Sequence, residues 1–257
     1  MKGSGRRMLL PQAILFDLDD TILDDSSSAE SAWHLVCQQA AEQVDGLETE
    51  ALLAAVSRVR RWFWSDAGRH RTGRLDLRAA TRRIVLDALD SLGFADPGLA
   101  KTIAETYRDL REAAIRPFPG AIETLDQLRS AGVRTGLVTN GSRVAQRAKI
   151  ERFDLEPRFD YILIEGEFGC GKPDERVYRA ALDALGAQPD SAWMVGDNLE
   201  WDIAAPQRLG LRTVWVDAAR TGLPAATTVQ PDRVIHAIEE LLPPPWAGLR
   251  PASTSGL

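Results

Sequence analysis

The sequence predicts an α/β protein: a parallel β-sheet sandwiched between helix layers, with a domain of four helices inserted after the first strand. Three observations carry this expectation. The apolar run Ile14-Leu15-Phe16 stops abruptly in Asp17, Asp19 and Asp20, as a strand buried on both faces does when it delivers polar residues to its carboxyl end. From Gly120 to Leu242, short apolar runs alternate with helical segments, the pattern of right-handed strand-helix-strand crossovers. Between residues 25 and 115 the chain carries helical periodicity alone, more than one crossover needs and enough for a separate domain.

Within that interval, helices are expected over residues 28–44, 49–64, 77–92 and 96–115. The third is the clearest, because Thr81, Ile84, Val85, Ala88, Leu89 and Leu92 share one face and Gly93 supplies the stop. Asp96-Pro97 opens the fourth as a capping residue followed by proline at the first helical position, and Arg116-Pro117 ends it. The second half reads as a helix to Ala131, a strand over 133–139, a helix over 143–153 and a strand over 161–165. A helix over 174–185, a strand over 192–196, a short helix ending at Gly210, a strand over 213–216 and a last helix over 232–242 follow. The catalytic core is thus expected over 12–24 and 116–242 as a Rossmann-like sheet, the cap over 25–115, and polar, flexible tails over 1–11 and 243–257.

Composition narrows the function. A net charge of -6 argues against an extended nucleic-acid footprint, which needs a dominant basic face. Cys37 and Cys170 are the two cysteines, far apart in sequence, so neither a disulfide framework nor a zinc cluster is expected. No signal peptide or membrane span is evident, and the expectation is a cytoplasmic protein, monomer or homodimer, acting on a small metabolite with neither nucleic acid nor membrane as partner.

Each strand end carries a polar station: Asp17 and Asp19 after the first, Thr139-Asn140-Gly141 after the second, and Asp197 with Asp202 after the fourth. Lys172-Pro173 lies at the mouth of the helix that begins near Asp174. Taken singly, these residues have ordinary readings. Asp17 and Asp19 suit an acidic turn, Asp197 and Asp202 suit helix caps, and Lys172 suits a solvated surface. In a parallel sheet, however, all these ends share one edge and converge on one cavity. Crowded carboxylates there repel unless a hard divalent cation with oxygen ligands sits among them.

The ordered set Asp17-Leu18-Asp19-Asp20-Thr21, Thr139-Asn140, Lys172-Pro173 and Gly196-Asp197 through Asp202 resembles the four motifs of the haloacid dehalogenase superfamily, in the form of its magnesium-dependent phosphatases with a helical cap. The resemblance spans nearly the whole chain apart from the tails. It implies Asp17 as nucleophile and Asp19 as general acid and base. Mg²⁺ would be held by Asp17, the Asp19 carbonyl and Asp197, with Asp202 behind the metal or on Lys172. Thr139 and the backbone N–H groups of Asn140 and Gly141 would bind phosphoryl oxygens, and Lys172 would neutralise nucleophile and phosphate. Asp19 favours phosphorus chemistry, since the superfamily's dehalogenases lack an acid at that position. Trp201 stands where the family usually has a small or polar residue, and Pro206 where its next helix has glycine or alanine. The implied activity is hydrolysis of a small phosphomonoester of the nucleotide or sugar phosphate class; a phosphomutase and a non-catalytic binding module are the alternatives.

Substrate choice is expected from the cap. Gly68 to Arg74 reads as a basic loop flanked by glycines, either dipping over the site through Arg69, His70 and Arg71 or merely solvated. Trp62, Phe63 and Trp64 read as packing between cap and core, and His34 and His236 as structural residues on helices. Asp24 and Asp25, with Arg116 and Pro117, mark two strands on which the cap would hinge.

Overall fold

The computed structural model describes residues 10–242. Nearly all of both expected tails lies outside the described residues. Chain order begins β1 (Ala13–Phe16), β2 (Leu23–Asp24), α1 (Ala29–Ala41), α2 (Thr49–Ser65), α3 (Ala67–Leu75), α4 (Leu77–Asp90), α5 (Pro97–Ala114) and β3 (Arg116–Pro117). It continues through α6 (Ala121–Ser130), β4 (Arg134–Thr139), α7 (Arg143–Arg152), β5 (Tyr161–Ile164), α8 (Glu165–Phe168), α9 (Glu175–Leu185) and β6 (Ala192–Gly196). A wide π-type turn, Leu199–Ala204, leads into α10 (Ala205–Arg208), β7 (Arg212–Val216) and β8 (Arg233–Ile235).

The six-stranded sheet has the order β5-β4-β1-β6-β7-β8, and every pair in it is parallel. All four residues of β1 are fully buried because helices cover both faces, which is why that strand is apolar without alternation. Register then fixes the site. Phe16 sits opposite Leu137 of β4 and Val195 of β6, so Asp17, Thr139 and Asp197 all fall just beyond the same sheet edge. Apolar clusters lie on the two faces of the sheet, the larger containing Phe16, Leu137, Val195 and Val214, the other Leu15, Tyr178, Leu182 and Met194.

The helices α1 to α5 enclose an apolar cluster of their own, with Trp33 stacked on Tyr107 at 3.7 Å between ring centroids. Two short antiparallel strands, β2 and β3, carry the chain out of the core and back, and Arg116 pairs with Asp24 at 3.3 Å across them. Among the described residues no helix is long and apolar enough to cross a membrane.

Two segments differ from the sequence expectation. The basic stretch Gly68 to Arg74 is not a loop but most of α3, a fifth helix in the insertion, capped by Asp66, whose carboxylate accepts the Arg69 N–H at 2.8 Å. Its glycines misread as loop signals: a Cβ on Gly73 would stand 2.7 Å from the Phe63 ring, so glycine is there for close helix approach. The expected last helix over 232–242 is instead the edge strand β8 followed by a short turn, Ile238–Leu241. Val234 and Ile235 are β-branched and suit a strand, while Asp232 ties the segment to β7 by accepting the Thr213 N–H at 2.8 Å. His236 therefore lies past a strand, with Nδ1 2.9 Å from the Asp217 carbonyl.

Candidate active site

At the carboxyl edge of the sheet lies a pocket of about 310 Å³ between core and insertion. Asp17, Asp19, Thr139, Asn140, Gly141, Lys172 and Asp197 line its core side. The chain leaves β1 through a tight turn in which Asp20 takes a left-handed conformation, φ 57°, tolerable for aspartate, and its carboxylate accepts the Ser26 N–H at 2.8 Å. That turn lets Asp17 and Asp19 face one cavity.

Lys172 is the electrostatic centre. Only 1% exposed, its Nζ donates to Asp17 Oδ1 at 2.8 Å and to Asp202 Oδ1 at 2.6 Å. Burial works against the ammonium, but the two carboxylates outweigh it and hold the lysine pKa above its ordinary value. Asp202 is fully buried, and its second oxygen accepts the Asn198 N–H at 3.0 Å, so its carboxylate orients Lys172. Asn140 clamps the same segment: its Oδ1 accepts the Lys172 N–H at 2.7 Å and its Nδ2 donates to the Lys172 carbonyl at 2.9 Å.

One carboxylate oxygen each from Asp17, Asp197 and Asp202 lies within 4.8 Å of the others. Burial pushes Asp17 up to about 7 against the opposing charge of Lys172, and burial followed by the charges of Asp17 and Asp202 pushes Asp197 up to about 9. Hard carboxylate oxygens crowded at one buried point are the donor set that a small divalent cation fits. Asp202 already spends both oxygens on Lys172 and Asn198, which leaves the second oxygen of Asp17 and the Asp197 carboxylate to hold such an ion.

Some expectations need correction in detail. The Gly141 N–H donates to Glu165 Oε2 at 3.0 Å and is not free for a phosphoryl oxygen. Of the cap residues Arg69, His70 and Arg71, His70 alone lines this pocket, its ring edge-on to Trp64 and Trp201, each at 5.2 Å. Burial, then the Arg74 charge, lowers its pKa. Arg69 turns away to cover the exposed Trp62 ring at 3.9 Å and to cap α2 carbonyls, and Arg71 lines a separate surface pocket beside Asp174. Phe63 packs inside the insertion rather than against the core. Trp201 forms a wall of the pocket, and Pro206 causes no break because it sits in the first turn of α10, after the π-type turn.

Three further residues shape the site. Gln146 Nε2 donates to both Thr139 Oγ1 at 2.6 Å and Asp19 Oδ2 at 3.0 Å, and Lys149 Nζ reaches Asp19 Oδ1 at 2.7 Å. Ser142, Gln146 and Lys149 are spaced four and three apart, so one face of α7 points at Asp19, a signal visible in the sequence. Arg74 of α3 pins the insertion to the core through a bidentate pair with Glu165, at 2.7 and 2.6 Å.

Residues 11–210 match the sequence profile of the haloacid dehalogenase-like hydrolases. The chain belongs to this hydrolase family. It is 34% identical over 221 residues to a phosphoserine phosphatase of Thermus thermophilus, a match covering 79% of this chain and 88% of that protein. It is 30% identical over 203 residues to a glyceraldehyde 3-phosphate phosphatase of Methanocaldococcus jannaschii, covering 79% and 83%. The magnesium-bound structure of the hydrolase YfnB from Bacillus subtilis superposes with a TM-score of 0.69 at 22% identity, covering 91% of this chain and 97% of that one, a likeness of fold. The family member described here is a hydrolase of phosphomonoesters, a small-molecule phosphatase.

Proposed function

We propose that the enzyme is a Mg²⁺-dependent phosphatase that works through a phosphorylated Asp17. The observation that carries this reading is the buried bridge from Asp17 through Lys172 to Asp202, at 2.8 and 2.6 Å, with the acid Asp19 on the wall of the same pocket. Asp17 attacks phosphorus, and the bond from phosphorus to the leaving oxygen breaks as the aspartyl-phosphate forms. Asp19 gives that oxygen a proton, then takes one from the water that attacks the phosphorus and frees Asp17 and inorganic phosphate. Gln146 and Lys149 orient the Asp19 carboxylate, and Gln146 also fixes Thr139.

Lys172 balances the nucleophile and the phosphoryl oxygens as a preorganised charge in a dry site. Mg²⁺ held by the Asp17 and Asp197 carboxylates and the Asp19 carbonyl would supply further charge stabilisation for the transferring group. The three-carbon esters in the names of both relatives favour a small sugar- or acid-derived phosphate over a nucleotide.

Release of inorganic phosphate from a panel of phosphorylated metabolites tests the proposal. Turnover is expected with Mg²⁺, is lost in chelator, and falls at least about a thousandfold in Asp17→Asn. Activity persisting in chelator, or surviving Asp17→Asn, overturns it.

A further inference from the structure

A second cleft between insertion and core, about 640 Å³, adjoins the catalytic pocket and shares Leu77, Ser142 and Ala145 with it. It has about twice the volume of the catalytic pocket, so a leaving group that outgrows that pocket extends there. One of its walls is Arg108 of α5, a residue only 8% exposed. The buried Arg108 Nε has no hydrogen-bond partner among the described residues. Its nearest carboxylate, Glu112, stands 3.8 Å away, beyond hydrogen-bond reach, and is itself engaged by Arg78 at 2.8 Å.

A buried guanidinium stays charged, because its pKa lies far above neutrality even where burial lowers it, as it does here. Such a group incurs a desolvation cost that only an anion with paired oxygens recovers fully. Arg78, Arg108, Lys149 and Arg152 line the same cleft against Asp76 and Glu112, so its balance of charge is positive and favours an anion as well. Lys149 also reaches Asp19 at 2.7 Å, which ties the cleft to the leaving-group side of the catalytic pocket. Ala145 and Lys149 are one turn apart on α7, about 6 Å.

We infer that this cleft is a subsite for a second anionic group, carboxylate or phosphate, carried a few bonds from the scissile oxygen, with Arg108 as its principal ligand. The inference rests on the phosphatase reading above, and it narrows the substrate to phosphomonoesters whose leaving alcohol is itself an anion.

Matched esters test it. Wild-type kcat/KM is expected to be at least tenfold higher for 3-phosphoglycerate, or for a sugar bisphosphate, than for glycerol 3-phosphate and the sugar monophosphate, the counterparts that lack the second anionic group. The two pairs separate a carboxylate site from a phosphate site. Arg108→Gln is expected to cut that ratio at least tenfold, chiefly through KM, while Arg108→Lys, which keeps charge but loses the planar fork, retains part of it. Calorimetry of 3-phosphoglycerate and glycerol 3-phosphate binding to the Asp17→Asn protein, with and without Arg108→Gln, reads the same selectivity without turnover. An anion preference in binding with no hydrolysis of any ester overturns the phosphatase reading and supports the subsite. Absence of preference in wild type and in Asp17→Asn, or a ratio unmoved by Arg108→Gln, overturns the subsite.

Discussion

Replacing Lys172 by methionine keeps most of the aliphatic volume and deletes the charge, so it isolates the electrostatic role. The side chain is 1% exposed, and its partners Asp17 and Asp202 are 12% and 0% exposed, so water cannot substitute for the ammonium. Two hydrogen bonds to charged groups, at about 1.5–3 kcal/mol each, give about 3–6 kcal/mol. That agrees with the ~3–5 kcal/mol expected when one partner of a buried ion pair is removed. At ~2–4 °C per kcal/mol for a chain of this size, Tm should fall by about 6–20 °C. Turnover should fall by about a hundredfold or more, since the variant loses a preorganised charge facing the phosphoryl group. Thermal melts and phosphate release under saturating substrate measure both. A Tm loss below about 3 °C, or a kcat within tenfold of wild type, would show that Asp17 and Asp202 do not depend on Lys172 and would refute the reasoning.

Gly196→Ala should displace Asp202, because the new Cβ would stand 2.3 Å from its Cγ and 2.4 Å from its Oδ2; an activity loss without gross unfolding, read by phosphate release and circular dichroism, is the expected result. Arg74→Gln leaves Glu165, 3% exposed, with the Gly141 N–H as its remaining partner, so the insertion should open; X-ray scattering should report a larger radius of gyration and kcat/KM should drop about tenfold or more. Metal-free stability should depend on pH with a definite sign. Asp17 is raised from 3.8 to about 7, so the folded state holds a proton that the unfolded chain releases. The resulting stability is complete below the unfolded carboxylate pKa and is lost as pH rises through about 7. Tm in chelator should therefore fall between about pH 5 and 8, and Mg²⁺ should raise it most at the upper end; a flat or rising profile contradicts the assignment.

The apolar strand ending in Asp17, the alternation after Gly120 and the polar stations at the strand ends were legible in the sequence because each is local: burial on both faces forces an apolar run, and parallel strands share one edge. Lys172 is different: it lies in the loop before α9 and by itself reads as a solvated lysine, so its place beside Asp17 was expected only from the resemblance of the whole motif set. Helix α3 was not legible, since Gly68 and Gly73 signal a loop unless the Phe63 ring is known to press against Gly73. The strand β8 was missed because Val234 and Ile235 suit either element until β7 offers an edge to pair with.

By itself, then, the sequence determined which side chains stand at the sheet edge, through strand periodicity and the parallel crossover. Only the tertiary structure decided how they are spent. Asn140 goes to the Lys172 backbone, the Gly141 N–H to Glu165, Asp202 to Lys172, and Arg74 to the core. Such pairings join residues from 24 to 91 positions apart, and a buried polar group takes whichever partner the folded chain brings within about 3 Å of it, a choice that no local pattern encodes.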